Sequence, residues 1–456
     1  MPKDVDLTTG PVGRKMLVMA LPMIGGLMSA ITFHLADTWF VSRLGKLQLA
    51  AMGYGYPLMM FIFSFALGIG SGASSTVSRA LGRGDRKRAA KLCTDSLIFS
   101  TGLGVVLAAA GYWIYEPIFR VQGADDATVV YVHQYMRYWL PAVPFLMITM
   151  VGNNSLQAAG DTRTSGLILF LGSLINIAFD PLLIFGAGPV EGMGVAGAAL
   201  ASMISRISTA ILTLYLLQSR HKFLVKSLPG WSRFWDSTRK ILYIGIPSSV
   251  TSMLYPLSVG VVNRLISTHG EAAVAAAGAG QRVESLVMVI YWSVARVVNP
   301  FAGQNWSEGR GERVNRVQRV ATLMALGWGA ACFGALLIFA PHVASLFGKS
   351  PQVEQVMVDF LRITSFGLGF RGVAILGCAF FNGINRPLRA GAIDVVRMFV
   401  LTIPMAWVGA QLWGLYGVFG GVAAANFVGG LFAAGWMNWA CRGDDCADGA
   451  PATQEA

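Results

Sequence analysis

Gly82-Arg-Gly-Asp-Arg-Lys-Arg88, a basic turn between two long apolar stretches, returns about 225 residues later as Gly309-Arg-Gly-Glu-Arg313. Four further matches follow in the same order at nearly the same spacing. Pro22 pairs with Pro247, Leu49-Ala-Ala-Met-Gly53 with Val274-Ala-Ala-Ala-Gly278, Gly160-x-x-Arg163 with Gly383-x-x-Arg386, and Pro181 with Pro404. The chain is therefore two copies of one unit. Partners lie an even number of apolar stretches apart, so both halves share one orientation, related by an axis along the membrane normal.

Composition sets the solvent. Of 456 residues, 54% are hydrophobic and 13% charged, where an average soluble domain carries about 25% charged. A chain so poor in charge cannot coat one globule with polar groups, and a bilayer removes the need. The 54 glycines suit helices that approach closely in lipid, where packing replaces the hydrophobic effect. Stretches long enough to cross fall near 15–40, 50–78, 93–115, 135–158, 165–187, 194–218, 241–262, 276–302, 320–341, 359–381, 390–411 and 415–440. The expectation is an all-α integral membrane protein of twelve transmembrane helices in two six-helix lobes. Residues 1–218 form the first lobe, 219–240 a cytoplasmic linker, 241–440 the second lobe and 441–456 a cytoplasmic tail.

The net charge of +12 follows position rather than a nucleic-acid partner. About 22 of the 35 Lys and Arg residues fall in loops on one side, in the clusters around 83–91, 220–240, 310–319 and 386–389. Retention of basic loops on the cytoplasmic side puts both termini inside. The N-terminal apolar stretch lacks a cleavage-site pattern and reads as an uncleaved first span. Among the cysteines, only Cys441-x4-Cys446 is closely spaced, without nearby His, which argues against zinc and, in a cytoplasmic tail, against a disulfide.

Three of the 23 acidic residues, Asp37, Asp180 and Glu284, sit deep in spans, where a charge costs roughly 2.5–3.5 kcal/mol on insertion scales. Asp180 follows Asn176 by one helical turn and precedes Pro181, so a carboxylate, an amide and a freed carbonyl share one region. That is a proton or cation site, or a hydrogen-bonded Asp at a proline kink. Asp37 has His34 one turn away and Arg43 beyond it, which leaves a titrating His–Asp pair or an interfacial carboxylate neutralised by arginine. A metal or catalytic reading of His34 needs several converging histidines, and the chain's five offer no second pair. Glu284 pairs with a neighbouring arginine or couples an ion. Arg371, amid Phe366-Gly-Leu-Gly-Phe-Arg371, pairs with Glu284 or attracts an anionic substrate group.

Across nearly the whole chain these residues resemble the multidrug and toxic compound extrusion (MATE) family, and within it the DinF-like branch. The resemblance is carried by Pro22, Asp37-Thr-Trp-Phe-Val-Ser-Arg-Leu-Gly45, Ala159-Gly-Asp-Thr-Arg163, Asn176-x-x-x-Asp180-Pro181, Gly194-Val-Ala-Gly-Ala-Ala199 and Arg282-Val-Glu284. It implies a V-shaped pair of lobes that exports amphipathic small molecules from the cytoplasm by alternating access. It further implies antiport with H+ or Na+ through Asp37, Asn176 and Asp180, with Tyr135 and Asn153 as further members. No organic cofactor, resident metal or nucleic acid is implied, and a monomer in the bilayer is the expected state. The NorM-like branch keeps acids in spans seven and ten. Here neither span has an acid away from its ends and span ten carries Arg371, which favours coupling through the first lobe alone. A lipid-linked saccharide flippase of the same superfamily is the alternative transporter, kept open by Arg296 and Arg371 and opposed by twelve spans. A membrane-embedded enzyme lacks a convergent nucleophile or metal set.

The charge distribution makes a topological prediction. With single cysteines at positions 87 and 313 in a cysteine-free background, an impermeant thiol reagent is expected to leave both unlabelled in sealed right-side-out cells. Labelling of either from outside contradicts the twelve-span arrangement.

Overall fold

The computed structural model describes residues 6–122, 125–187, 190–225, 230–347 and 350–442. The tail beyond Arg442, with Cys446, and residues 226–229 of the expected linker lie outside the described residues. The helices are α1 Val12–Ser42, α2 Lys46–Gly82, α3 Arg86–Val121, α4 Asp126–Trp139, α5 Val143–Ala158, α6 Thr162–Phe185, α7 Val195–Leu216, α8 Trp231–Ser267, α9 Glu271–Ser307, α10 Gly311–Ser345, α11 Pro351–Ser365, α12 Leu368–Gly383, α13 Pro387–Val395 and α14 Ile403–Arg442. A two-residue antiparallel pairing, Gly186–Ala187 with Val190–Glu191, follows α6.

Among the described residues, nine helical segments are long and apolar enough to cross a membrane, and α11 with α12 makes a tenth, bent by 50°. The twelve expected spans are recovered once the breaks are read. Span four is α4 and α5, joined through the 3-10 turn Leu140–Ala142, where Pro141 and Pro144 withhold backbone donors. Span eleven runs from α13 through the π-helical stretch Val396–Thr402 into α14. It ends where α14 loses helical geometry at Trp413 and Gly414, and span twelve starts there.

The turns reveal the true register of the repeat. Gly84 and Gly309 have φ of 72° and 77°, and Gly160 and Asn385 have 78° and 61°, the left-handed conformation that caps a helix C-terminus. In all four, the residue after the left-handed one donates its N–H five residues back: Asp85 to Ala80, Arg310 to Asn305, Asp161 to Leu156 and Arg386 to Phe381, at 2.8–3.0 Å. Gly84 therefore corresponds to Gly309, not Gly82, and Gly160 to Asn385, not Gly383. Each correction moves the match by two residues and brings both pairs to one spacing of about 225. Gly194 (φ 58°, ψ −131°) opens α7, and Gly414 (φ 57°, ψ −135°) repeats that conformation where span twelve begins. A side chain at either position would be strained.

The chain forms two compact units, one built on Leu21–Ser249 and the other on Leu7–Ala20 with Val250–Ala456. The divisions fall inside α1 and α8, beside the repeat-related Pro22 and Pro247. Within the first unit, a Cβ on Gly166 would lie 2.3 Å from the Pro22 carbonyl oxygen, and one on Gly26 would lie 2.8 Å from that of Gly166. Backbone approaches backbone here, as small residues permit in lipid. In the second unit, Leu7, Val12 and Met16 are buried among side chains of α9 and α10. Arg310 donates to the Thr8 carbonyl at 2.7 Å, Arg313 to those of Leu7, Thr9 and Gly10, and Asn305 to Leu7. These two arginines thus hold a segment as well as marking a side.

In the turn before α6, the Asp161 carboxylate accepts from Thr164 N at 3.0 Å and Thr164 Oγ1 at 2.7 Å. It also lies 3.1 Å from Nε2 of the fully buried His221. Burial pushes the Asp161 carboxyl up, but the bonds to His221 and Thr164 outweigh it and hold it below the ordinary carboxylate value. Asp161→Ala is expected to cost on the order of 1–2 kcal/mol, read as a lower melting temperature of the purified protein. A group with a depressed folded pKa gives its stabilisation above the unfolded value and loses it as pH falls through the folded one. The gap between wild type and variant should stay constant above about pH 5 and close below about pH 4.

Candidate cation and substrate sites

Helix α6 puts Asn176 and Asp180 one turn apart on one face, with 1% and 0% of their surfaces exposed. Hydrogen bonding fixes the Asn176 amide. Its nitrogen donates to Asp180 Oδ2 at 2.9 Å, and its oxygen accepts from Ser202 N at 3.1 Å and Ser202 Oγ at 3.2 Å. Ser202 stands on α7 and thereby ties that helix to α6. Asp37 on α1 is 5% exposed and within electrostatic reach of Asp180. Tyr135 on α4, also buried, is within reach of both carboxylates. One oxygen of each, Asp37 Oδ1 and Asp180 Oδ1, is buried without a hydrogen-bond partner among the described residues. An orphaned buried acceptor is costly, so a native structure that keeps two calls for an occupant.

The structure adds Arg206, which the sequence reading left out. It stands one turn after Ser202 on α7, and its guanidinium lies 4.8 Å from the Trp139 ring centroid. It is within electrostatic reach of Asp37 and Tyr135, and its Nη1 is buried without a partner. The signal was present: a lone arginine in the small, otherwise uncharged run Ala201-Ser-Met-Ile-Ser-Arg-Ile-Ser-Thr209.

The remaining candidates form no described hydrogen bond with Asp37 or Asp180, although His34 lies within electrostatic reach of Arg206. His34 is exposed and its ring packs on Phe33 at 4.3 Å. Among the described residues no hydrogen bond joins His34 to Asp37, and Arg43 lies over Trp39 rather than pairing with Asp37. Asn153 on α5 is buried with Oδ1 unpartnered, and no described hydrogen bond links it to Asp37 or Asp180. Among the described residues, no group of three or more His, Cys, Asp or Glu could hold a metal ion.

In the second unit, Glu284 on α9 meets Arg371 on α12 at 3.5 Å. Arg282 is exposed. Arg371 Nη2 also donates to the Tyr255 hydroxyl at 2.7 Å. Both residues line a cavity of about 130 Å³ whose wall is drawn from α8, α9, α11, α12, the π-helical stretch and α14.

A single family model, described as MatE, matches residues 22–182 and again 247–408. The chain belongs to the MatE family. The two matches fall on the two halves of the repeat, so each half carries one copy of the unit. A FAD transporter of Shewanella oneidensis is 32% identical over 93% of this chain and 94% of its own length. A probable multidrug resistance protein of Bacillus subtilis, YpnP, is 23% identical over 91% of this chain and 93% of its own. The crystal structure of the Vibrio cholerae MATE transporter VcmN in its bent form matches with a TM-score of 0.89 at 25% identity, covering 94% of this chain and 97% of that one. This is therefore a multi-pass membrane protein with the fold of MatE-family transporters.

The amide bridge at Asn176 is open to test. Asn176→Leu leaves Asp180 without its donor and unties α6 from α7. It is expected to lower stability by about 1–3 kcal/mol, measured by thermal unfolding in detergent, whereas Asn176→Gln should recover part of the loss.

Proposed function

We propose that the chain is a cation-coupled antiporter that exports amphipathic small molecules across the cytoplasmic membrane, with both termini in the cytoplasm. The observation that carries this reading is the buried pair Asp37 and Asp180, each with an oxygen lacking a partner among the described residues, with Asn176 tying Asp180 to α7 and Tyr135 within electrostatic reach of both. A proton, or a sodium ion held by these oxygens, satisfies the acceptors and removes charge from a low-dielectric site. Exchange then requires that cation and cargo favour opposite states of one two-state element. Asp37 suits that role, because α1, like α8, has residues in both units. Relatives named as multidrug resistance proteins support an amphipathic cargo.

A second reading of the cargo is an anionic flavin dinucleotide, as named for the Shewanella relative. The two guanidinium groups that line the second unit's cavity, Arg371 and Arg397, favour it.

The test is gradient-driven efflux from proteoliposomes under an imposed pH or sodium gradient, with a panel of dyes and FAD. Asp180→Asn and Asp37→Asn should each reduce efflux at least about tenfold at normal protein abundance. The double variant should be scarcely worse, because groups acting as one unit do not contribute additively. Glu284→Gln should be milder. Efflux near the wild-type level in both single variants overturns coupling through the first unit. The gradient that drives wild-type efflux identifies the ion.

A further inference from the structure

We infer that the cavity of the second unit is an anion site that seats the phosphate-type group of an aromatic cargo. The inference rests on the reading of the chain as an exporter of amphipathic molecules, and it adds the charge of the group that such a cargo presents.

Charge is the first support. Two guanidinium groups, Arg371 and Arg397, and one carboxylate, Glu284, are the charged residues lining the cavity, so positive groups outnumber negative ones at its wall. The Asp394 partner of Arg397, at 3.3 Å, stands outside that lining. The unsatisfied atoms give the sign independently. Arg371 Nε and Arg397 Nε are both buried without a hydrogen-bond partner, and both are donors that can never act as acceptors. Arg397 is only 6% exposed. In the first unit the orphaned carboxylate oxygens are acceptors awaiting a proton or cation. Here the orphans are N–H groups awaiting an oxygen.

Backbone geometry supports the same reading. Arg397 sits in the π-helical stretch Val396–Thr402, a departure from α-helix that is rare and frequent at functional sites. Thr402 Oγ1 donates to the Arg397 carbonyl at 2.7 Å, and Ser258 Oγ donates to that of Met398 at 3.3 Å. The irregular turn that presents Arg397 is thus held on both sides. A planar guanidinium suits an oxyanion better than a point charge does, because it offers paired donors.

Size and walls define the rest of the ligand. About 130 Å³ is below the roughly 300 Å³ at which pockets for whole small molecules begin. The cavity admits a head group and leaves the body outside it. Trp292, Phe360 and Phe419 line it, and Trp292, 40% exposed, gives an aromatic neighbour of that head a ring to pack on.

The test uses the full chain in phosphatidylcholine nanodiscs and compares 1-naphthyl phosphate with neutral 1-naphthol by calorimetry. The phosphate should bind saturably. Arg397→Gln and Arg371→Gln should weaken it at least about tenfold while leaving 1-naphthol unchanged, and Arg397→Lys should lose less than Arg397→Gln. Glu284→Gln, which removes the opposing charge, should tighten the phosphate several-fold, a gain that a misfolded variant cannot produce. Absence of saturable phosphate binding, equal affinity in Arg397→Gln, or equal loss of both probes overturns the inference. Repeating the titration with phosphatidylglycerol in the disc separates the sources. Lost binding assigns the site to a lipid head group, and retained binding to a free anionic cargo. Asp37-dependent efflux without phosphate binding sinks this inference alone, and phosphate binding without gradient-driven efflux sinks the antiport reading alone.

Discussion

A backbone that crosses hydrocarbon has to satisfy its own N–H and C=O groups, and the architecture follows from that requirement. It forces helices, and it makes each interruption something that must be satisfied locally. The interruptions here are few and repeated. Four turns close with the same left-handed residue and the same five-residue-back hydrogen bond, and Gly194 and Gly414 share one strained conformation at the start of spans six and twelve. The breaks at Leu140–Ala142, between α11 and α12, and at Val396–Thr402 lie within helical segments where neighbouring helices protect them. One of them presents Arg397 to a cavity.

The same requirement explains how the charges are distributed. A charge within the spans is tolerable when a countercharge or hydrogen bond meets it. Glu284 has Arg371, Arg397 has Asp394, and Asp37 has Arg206 within reach. None of these sets is complete, since a buried atom without a partner remains on Asp37, Asp180, Arg206, Arg371 and Arg397. The duplicated unit has therefore diverged: among the described residues, two carboxylates and one guanidinium of these sets keep an orphaned atom in one copy, and two guanidinium groups do in the other.

Much of this was legible in the sequence for a simple reason. Hydropathy reports spans, and Asn176, Asp180 and Asp37 stand out because a polar residue is conspicuous in an apolar run. Span twelve was legible from residue 415 because Gly414 punctuates it. The repeat was legible, but two of its matches were two residues off. Gly82-Arg-Gly-Asp-Arg86 and Gly309-Arg-Gly-Glu-Arg313 look alike in letters, whereas the fold aligns the residues that must turn left-handed, and there an Asn replaces a Gly at position 385. His34 looked like a partner of Asp37 on spacing alone, and among the described residues no hydrogen bond joins the two. Arg206 and Arg397 were not singled out, although each is a cation inside an apolar stretch, as Arg371 is. The π-helical turn that gives Arg397 its place leaves no trace in composition.

One feature of the N-terminal segment has a consequence for synthesis. Leu7, Thr8 and Thr9 are held by Gln304, Asn305, Arg310 and Arg313, side chains encoded some 300 codons downstream. At roughly 5–20 residues per second of translation, the segment emerges about 15–60 s before its partners. Until residue 250 is made, Leu7, Val12 and Met16, which end fully or almost fully buried, have none of the later part of their own unit to pack on. The growing chain is therefore open at its oldest end until the tenth helix is made, and quality-control proteases or insertion factors have that interval in which to meet it.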